Sequence, residues 1–309
     1  MLRIRNILLA VDFSPSSMEA ISVAVDMADR FSARLHVLHA RVLRRDPDSD
    51  RGSSKPVVLK EKLNKLLGDN ALRERGYEPE DLDVIQNVEQ DIEPAPAIIN
   101  YAEQHEIDCV VIGTHGRRGI RRLLIGSVAE EVVRTAPCSV MTVRQLPDEG
   151  RFSPATIMVP VDFSEHAQFA TAHAKHLAVK YDARLSIMHV VEEFLHPAFY
   201  GPGVQSIYDV EPDIEEKARD RLKSFYESTP GPNVDAEYLV ETGRAGRSIS
   251  DVAEKAGAGL LVMSTHGRTG MDHFLIGSVA SRVVRSAPCP VLSVKPFGRS
   301  MLSNSNDDQ

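Results

Sequence analysis

The sequence predicts an α/β chain of two tandem domains, each a five-stranded parallel sheet with helices on both faces. Three observations predict it. The chain repeats itself at an offset of about 150 residues, "ILLAVDFSPSSMEAISVAVDMADRF" from Ile7 returning as "IMVPVDFSEHAQFATAHAKHLAVKY" from Ile157. Short β-branched runs alternate with helical patterns in both copies, the signature of strands joined by covering helices. A length of 309 residues suits two cores better than one.

The elements follow in order. "RNILLAVDF" and "ATIMVPVDF" read as first strands, apolar without alternation because both faces are covered. "RLHVLHA" and "RLSIMHVV" are second strands, "DLDVIQNV" and "DAEYLV" third, "DCVVIGT" and "GLLVMST" fourth, "SVMTV" and "PVLSV" fifth. Helical stretches such as "SSMEAISVAVDMADRF" and "PAPAIINYAEQHE" lie between them. The polar, proline-bearing "RQLPDEGRFSP" from Arg144 to Pro154 marks the boundary. The expected domains are 1–147 and 153–298, with a disordered tail over 299–309.

Composition narrows function. A formal charge of −8 argues against a nucleic-acid coat, which needs excess Lys and Arg. No window holds the roughly eighteen apolar residues of a membrane span, and "MLRIRNILLAVDF" lacks a secretory pattern, so a cytoplasmic protein is expected. Cys109, Cys138 and Cys289 show no C-x-x-C spacing and read as buried reduced thiols.

Parallel sheets bind ligands beyond the carboxyl ends of their strands, where strand order reverses. The candidate site therefore joins the loop after the first strand (Asp12, Asp162) to the loop after the fourth (Gly113 to Ser127, Ser264 to Ser278). "GTHGRRGIRRLLIGS" has the spacing G-x2-G-x9-G-S on Gly113, Gly116, Gly126 and Ser127. Glycines let a ligand touch the main chain, and a helix opening at Gly126-Ser127 turns free N–H groups toward an anion. No G-K-[ST] follows, so this is not a Walker loop. Arg117, Arg118, Arg121 and Arg122 enrich the first loop, against Arg268 in the second. Ser264 replaces the first glycine of the second copy, which marks the first copy as the complete one.

The first strand ending V-D-F-S, the strand ending I-G-T-H-G-R, and L-I-G-S-V-A-E-E-V-V-R-x-A-P-C-x-V together resemble the universal stress protein family in its tandem form. The resemblance implies a Rossmann-like sheet in each domain and binding of ATP or a related adenine nucleotide, with or without Mg. By that resemblance Asp12 sits by adenine and ribose, Ala40 lines the adenine pocket, and Ile112 with Gly113 forms its floor. Gly116, Gly126, Ser127, Val128 and Ala129 surround the phosphates. The second copy supplies Pro160, Asp162, Val190, Met263, Gly267, Gly277, Ser278, Val279 and Ala280, and Ala10 stands where nucleotide-binding members often carry proline. It further implies a nucleotide-sensing stress-response factor with unidentified protein partners. Pairing of the fifth strands would make an intrachain pseudo-dimer, which a second chain can extend to a homodimer. The rival reading is a nucleotide-independent interaction module on the same fold.

Other conspicuous residues read as structural. His115 and His266 lack a nucleophile and an orienting partner at recognisable spacing, so no catalytic residue is assigned and at most weak ATP hydrolysis is expected. His39 and His189 end second strands and are expected to satisfy backbone groups. His166, His173 and His176 fall on one face of a helix without the further ligands a metal needs, and a solvent-facing helix is expected. The insertions at 44–58 and 196–213 read as loops.

Overall fold

The computed structural model describes residues 1–42, 56–74, 76–78, 82–91, 93–114, 125–146, 152–192, 211–265 and 276–302. Most of both insertions, and residues 303–309 of the expected tail, lie outside them. The chain divides into two compact units, Met1–Ser153 with Lys295–Gln309, and Pro154–Val294.

The first unit runs β1 (Asn6–Ala10), α1 (Pro15–Phe31), β2 (Arg34–Val42), α2 (Pro56–Leu67), α3 (Asp69–Glu74), β3 (Val84–Asp91), α4 (Pro94–Gln104), β4 (Cys109–Gly113), α5 (Ser127–Thr135) and β5 (Ser139–Val143). Its strands lie in the order β3-β2-β1-β4-β5, every ladder between them parallel. The second unit runs β6 (Thr156–Pro160), α6 (Glu165–Tyr181), β7 (Arg184–Val191), α7 (Ile214–Ser228), β8 (Ala236–Thr242), α8 (Ala245–Lys255), β9 (Leu260–Ser264), α9 (Ser278–Ser286) and β10 (Val291–Val294). Its order is β10-β9-β6-β7-β8, again with parallel ladders. In each unit the order reverses beside the first strand, between β1 and β4 or between β6 and β9.

The apolar runs explain the layering. Ile7, Leu8 and Leu9 point alternately to opposite faces and all are fully buried, so β1 is covered on both sides. In α1, Ser14 caps the first turn by accepting the Ser17 N–H, Pro15 takes a position that needs no donor, and Ser32 ends the helix at φ 51°. α6 repeats this with Ser164 accepting from Ala167 N–H and Asp182 at φ 53°.

The chain's end differs from the expected tail. Residues 295–302 pack on the first unit: Arg3 N–H donates to the Met301 carbonyl at 2.6 Å, Arg299 N–H to the Pro137 carbonyl at 2.8 Å, and Met301 is fully buried. Gly298 makes the turn possible, with φ +80° and no room for a Cβ against the Pro137 carbonyl. The sequence gives little sign of this because "KPFGRSML" is short and has no helical or strand periodicity, while its cover comes from residues far away in the chain.

Candidate functional site

The V-D-F-S turn is built the same way in both units. Asp12 Oδ1 accepts the Ser14 N–H at 2.9 Å, and Asp162 Oδ1 accepts both the Ser164 N–H at 3.0 Å and the Ser164 hydroxyl at 2.6 Å. Between aspartate and serine, Phe13 (φ 61°) and Phe163 (φ 64°) take the left-handed conformation, which costs a bulky residue roughly 1–2 kcal/mol. Neighbouring contacts offset that cost. His39 Nδ1–H donates to the Val11 carbonyl at 2.6 Å while its ring packs on Phe13 with centroids 5.0 Å apart. His189 does the same to Val161 at 2.7 Å and to Phe163 at 4.5 Å. Both histidines thus satisfy backbone groups, as their strand-end positions suggest.

The neighbouring strand ends are set by the ladder register. Ala10 is in register with Leu38 and with Ile112, and Pro160 with Met188. Ala40 and Val190 therefore lie two residues past these partners, so β2 and β7 overhang the end of the first strand. Ile112 and Met263 are buried at the ends of β4 and β9. Across the crevice, Gly126 N–H donates to the Thr114 carbonyl at 2.6 Å and Gly277 N–H to Thr265 at 2.9 Å, which pins each glycine loop at its base. Gly126 and Gly277 then cap α5 and α9 with no side-chain hydrogen bond, leaving the first-turn N–H groups of Ser127, Val128 and Ala129, and of Ser278, Val279 and Ala280, without a side-chain cap. Gly116, Gly267, His115, His266, the four loop arginines of the first copy and Arg268 lie outside the described residues.

Gly113 and Ser264 are separated by sterics rather than by backbone conformation. Neither has positive φ. A Cβ on Gly113 would meet the Ser16 carbonyl carbon and the Ser17 nitrogen at 2.7 Å, so glycine is needed because α1 begins directly over the end of β4. Ser264 carries a Cβ at the matching place in the second unit.

Sequence reasoning missed one repeated feature. A helix between the second and third strands sets a cation over the left-handed phenylalanine: Lys62 of α2 lies 5.7 Å from the Phe13 ring, and the Arg221 guanidinium of α7 lies 4.0 Å from that of Phe163. Phe225 adds an edge contact to Phe163 at 5.7 Å. Arg221 and Phe225 are four residues apart on one helix, and that spacing was the available signal.

The histidine helix corrects one expectation. His173 is fully buried on α6, not solvent-facing; its Nδ1–H donates to the Phe169 carbonyl at 2.8 Å, and its Nε2 has no partner. Burial lowers its pKa to about 4. Among the described residues no group of three or more His, Cys, Asp or Glu is placed to hold a metal ion. All three cysteines are buried and free, and burial raises Cys138 and Cys289 to about 12. Among the described residues no helix is long and apolar enough to cross a membrane.

The fold defines a tandem α/β protein with one candidate strand-end site in each half. The chain belongs to the universal stress protein family, whose sequence pattern matches residues 3–144 and 155–295. It is similar to Universal stress protein MJ0531 of Methanocaldococcus jannaschii, 33% identical over 139 residues that span 45% of this chain and 81% of that protein. It is also similar to Universal stress protein Rv2005c of Mycobacterium tuberculosis, 30% identical over 206 residues, 64% of this chain and 65% of the relative. Among solved structures, a universal stress protein from Archaeoglobus fulgidus matches with TM-score 0.62 and 21% identity, covering 94% of this chain and 98% of its own. The functionally unknown PA1789 of Pseudomonas aeruginosa matches with TM-score 0.66 and 20% identity, over 95% and 93%. Those two structures support the fold alone.

Proposed function

We propose that the chain is a cytoplasmic binding protein for an adenine nucleotide, ATP first, and that occupancy biases its conformation so that a stress-response partner reads it. The observation that carries this reading is the crevice at the reversal of strand order. There an aspartate held by its own turn and a helix start that no side chain caps follow neighbouring strands, and oriented backbone N–H groups at such a start favour phosphate. Asp12 and Asp162 take the ribose and base side, Ala40 and Val190 overhang the base, and Gly126-Ser127 and Gly277-Ser278 take the phosphates. Magnesium, if it accompanies the phosphates, is carried by the nucleotide. The reading is of a sensor and not of an enzyme, and a nucleotide-dependent signal requires different affinity in two conformations.

The test is direct. Protein purified without added nucleotide is denatured and its supernatant assayed for adenine nucleotide, and its melting temperature is followed against ATP. Ligand at a hundred times its Kd stabilises by roughly 2.7 kcal/mol, which gives a rise of several degrees. Absence of nucleotide together with an unchanged melting temperature at millimolar ATP leaves the nucleotide-independent interaction module as the reading.

A further inference from the structure

We infer that the basic α8–α9 face of the second unit is a docking surface for a second copy of this chain, which it meets on the acidic α4–α5 face of that copy's first unit. The inference goes beyond the nucleotide reading and does not depend on it.

Two helix pairs at matching places in the repeat carry opposite charge. In each unit the helix after the glycine loop packs beside the helix after the third strand, α5 on α4 and α9 on α8. Over 244–255 and 278–286 five basic residues stand against two acidic ones, whereas over 93–104 and 127–135 four glutamates stand against one arginine. The change is concentrated at matched positions. Arg244 and Arg282 stand where the first unit has Glu93 and Glu131, and Ser281 stands where it has Glu130.

The basic residues gather at the first turn of α8. Arg244 is the N-cap of that helix, Arg247 lies in its first turn, and the Arg282 stem lies on Gly246, where an added Cβ would come within 2.7 Å of Arg282 Cδ. All three arginines are exposed. A helix start carries positive partial charge, so guanidinium groups collected there oppose the helix as well as one another. Two carboxylates of the same unit offset part of this: Glu192 accepts the Ala245 N–H at 3.2 Å, and Asp251 lies 3.4 Å from Arg247. Positive charge remains in excess. An electrostatic cost kept at an exposed surface marks a place that meets opposite charge from outside.

The first unit presents the complement. Glu93 is the N-cap of α4 and is exposed, as is Glu103, while Glu130 and Glu131 are half-buried on α5. The chain thus carries both halves of a complementary pair, each built on two adjacent helices. Its net charge of −8 repels a second copy and a nucleic acid alike at long range, so a contact between copies needs local opposition of charge. These two faces supply it.

Sedimentation of the unsubstituted full chain without nucleotide reads the contact before any variant is made. At about 0.01 M salt, where charges act over about 30 Å, the weight-average mass is expected to rise with protein concentration; at about 1 M salt, where they act over about 3 Å, that rise is expected to vanish. Arg244→Glu with Arg282→Glu turns the basic face acidic, and Glu93→Arg with Glu131→Arg turns the acidic face basic. Each change installs the residue that the other unit carries at the matching place. Either protein alone is expected to associate about tenfold more weakly than the unsubstituted chain, as reversal of two exposed charges implies, and an equal mixture of the two is expected to recover the association. A mass independent of concentration at low salt overturns the inference, as does an association that survives in 1 M salt or a mixture no more associated than its components. None of these outcomes bears on the nucleotide reading, which is tested by bound nucleotide and melting temperature.

Discussion

Acid should unfold the second unit through one buried side chain. His173 donates from Nδ1 to the Phe169 carbonyl, so its neutral ring carries the proton there, and a second proton would have to enter at Nε2, which is buried without an acceptor. Burial is the main cause of its low pKa, the Phe169 carbonyl opposes it, and the charge of His176 adds to it. The pKa moves from 6.5 in the unfolded chain to about 4 in the folded one. Between these values the unfolded chain binds more protons, so stability is full above pH 6.5 and falls as pH drops toward 4. The whole interval corresponds to roughly 3 kcal/mol, a large part of the stability of a typical domain. His173→Leu removes the titration and the orphaned nitrogen together, and the Phe169 carbonyl keeps its helical partner. It is expected to change stability by less than about 1 kcal/mol at about pH 8 and to flatten the loss between about pH 6.5 and 4.5. Urea unfolding read by hydrogen exchange of α6 and β6 peptides reports the second unit alone. Parallel acid curves for the two proteins, or a His173 pKa of about 6.5 by ring NMR, would refute the reasoning.

Two further predictions concern the glycine-loop strands and the buried lysine. Gly113→Ala drives a Cβ into the Ser16–Ser17 backbone and is expected to cost about 1–3 kcal/mol, whereas Ser264→Gly in the second unit is expected to cost no more than about 1 kcal/mol; urea midpoints of the two proteins check the contrast. Lys295 donates to the Ala136 carbonyl at 2.6 Å, and burial lowers its pKa from 10.5 to about 8. The folded chain therefore holds fewer protons than the unfolded one between those values, so stability rises from pH 8 toward pH 10.5. Lys295→Met is expected to remove that rise, as followed by exchange protection of the Arg3 and Arg299 amides.

Much of the architecture was legible because duplication and strand patterning are local signals. Each of the ten strand stretches forms a strand, and Asp12 and Asp162 occupy strand ends beside a reversal. The helical face of His173 was misread because polarity was taken for exposure, although the residues around it, Ala170, Ala174 and Leu177, are the ones that bury it. The packing of 295–302 was invisible for a related reason: its donors and acceptors come from Arg3, Ala136 and Pro137.

What the sequence by itself determined is the repeat, the strand and helix order, and the places of the aspartates and the glycine-serine pairs just after their strands. These depend on residue type, periodicity and spacing. What only the tertiary structure decided is how the two copies differ. Glycine at 113 is required by a helix resting on it, and the β6–β9 ladder has two positions where the β1–β4 ladder has four. Both effects arise between residues distant in the chain, where sterics and hydrogen-bond phase can be read only after the strands have paired.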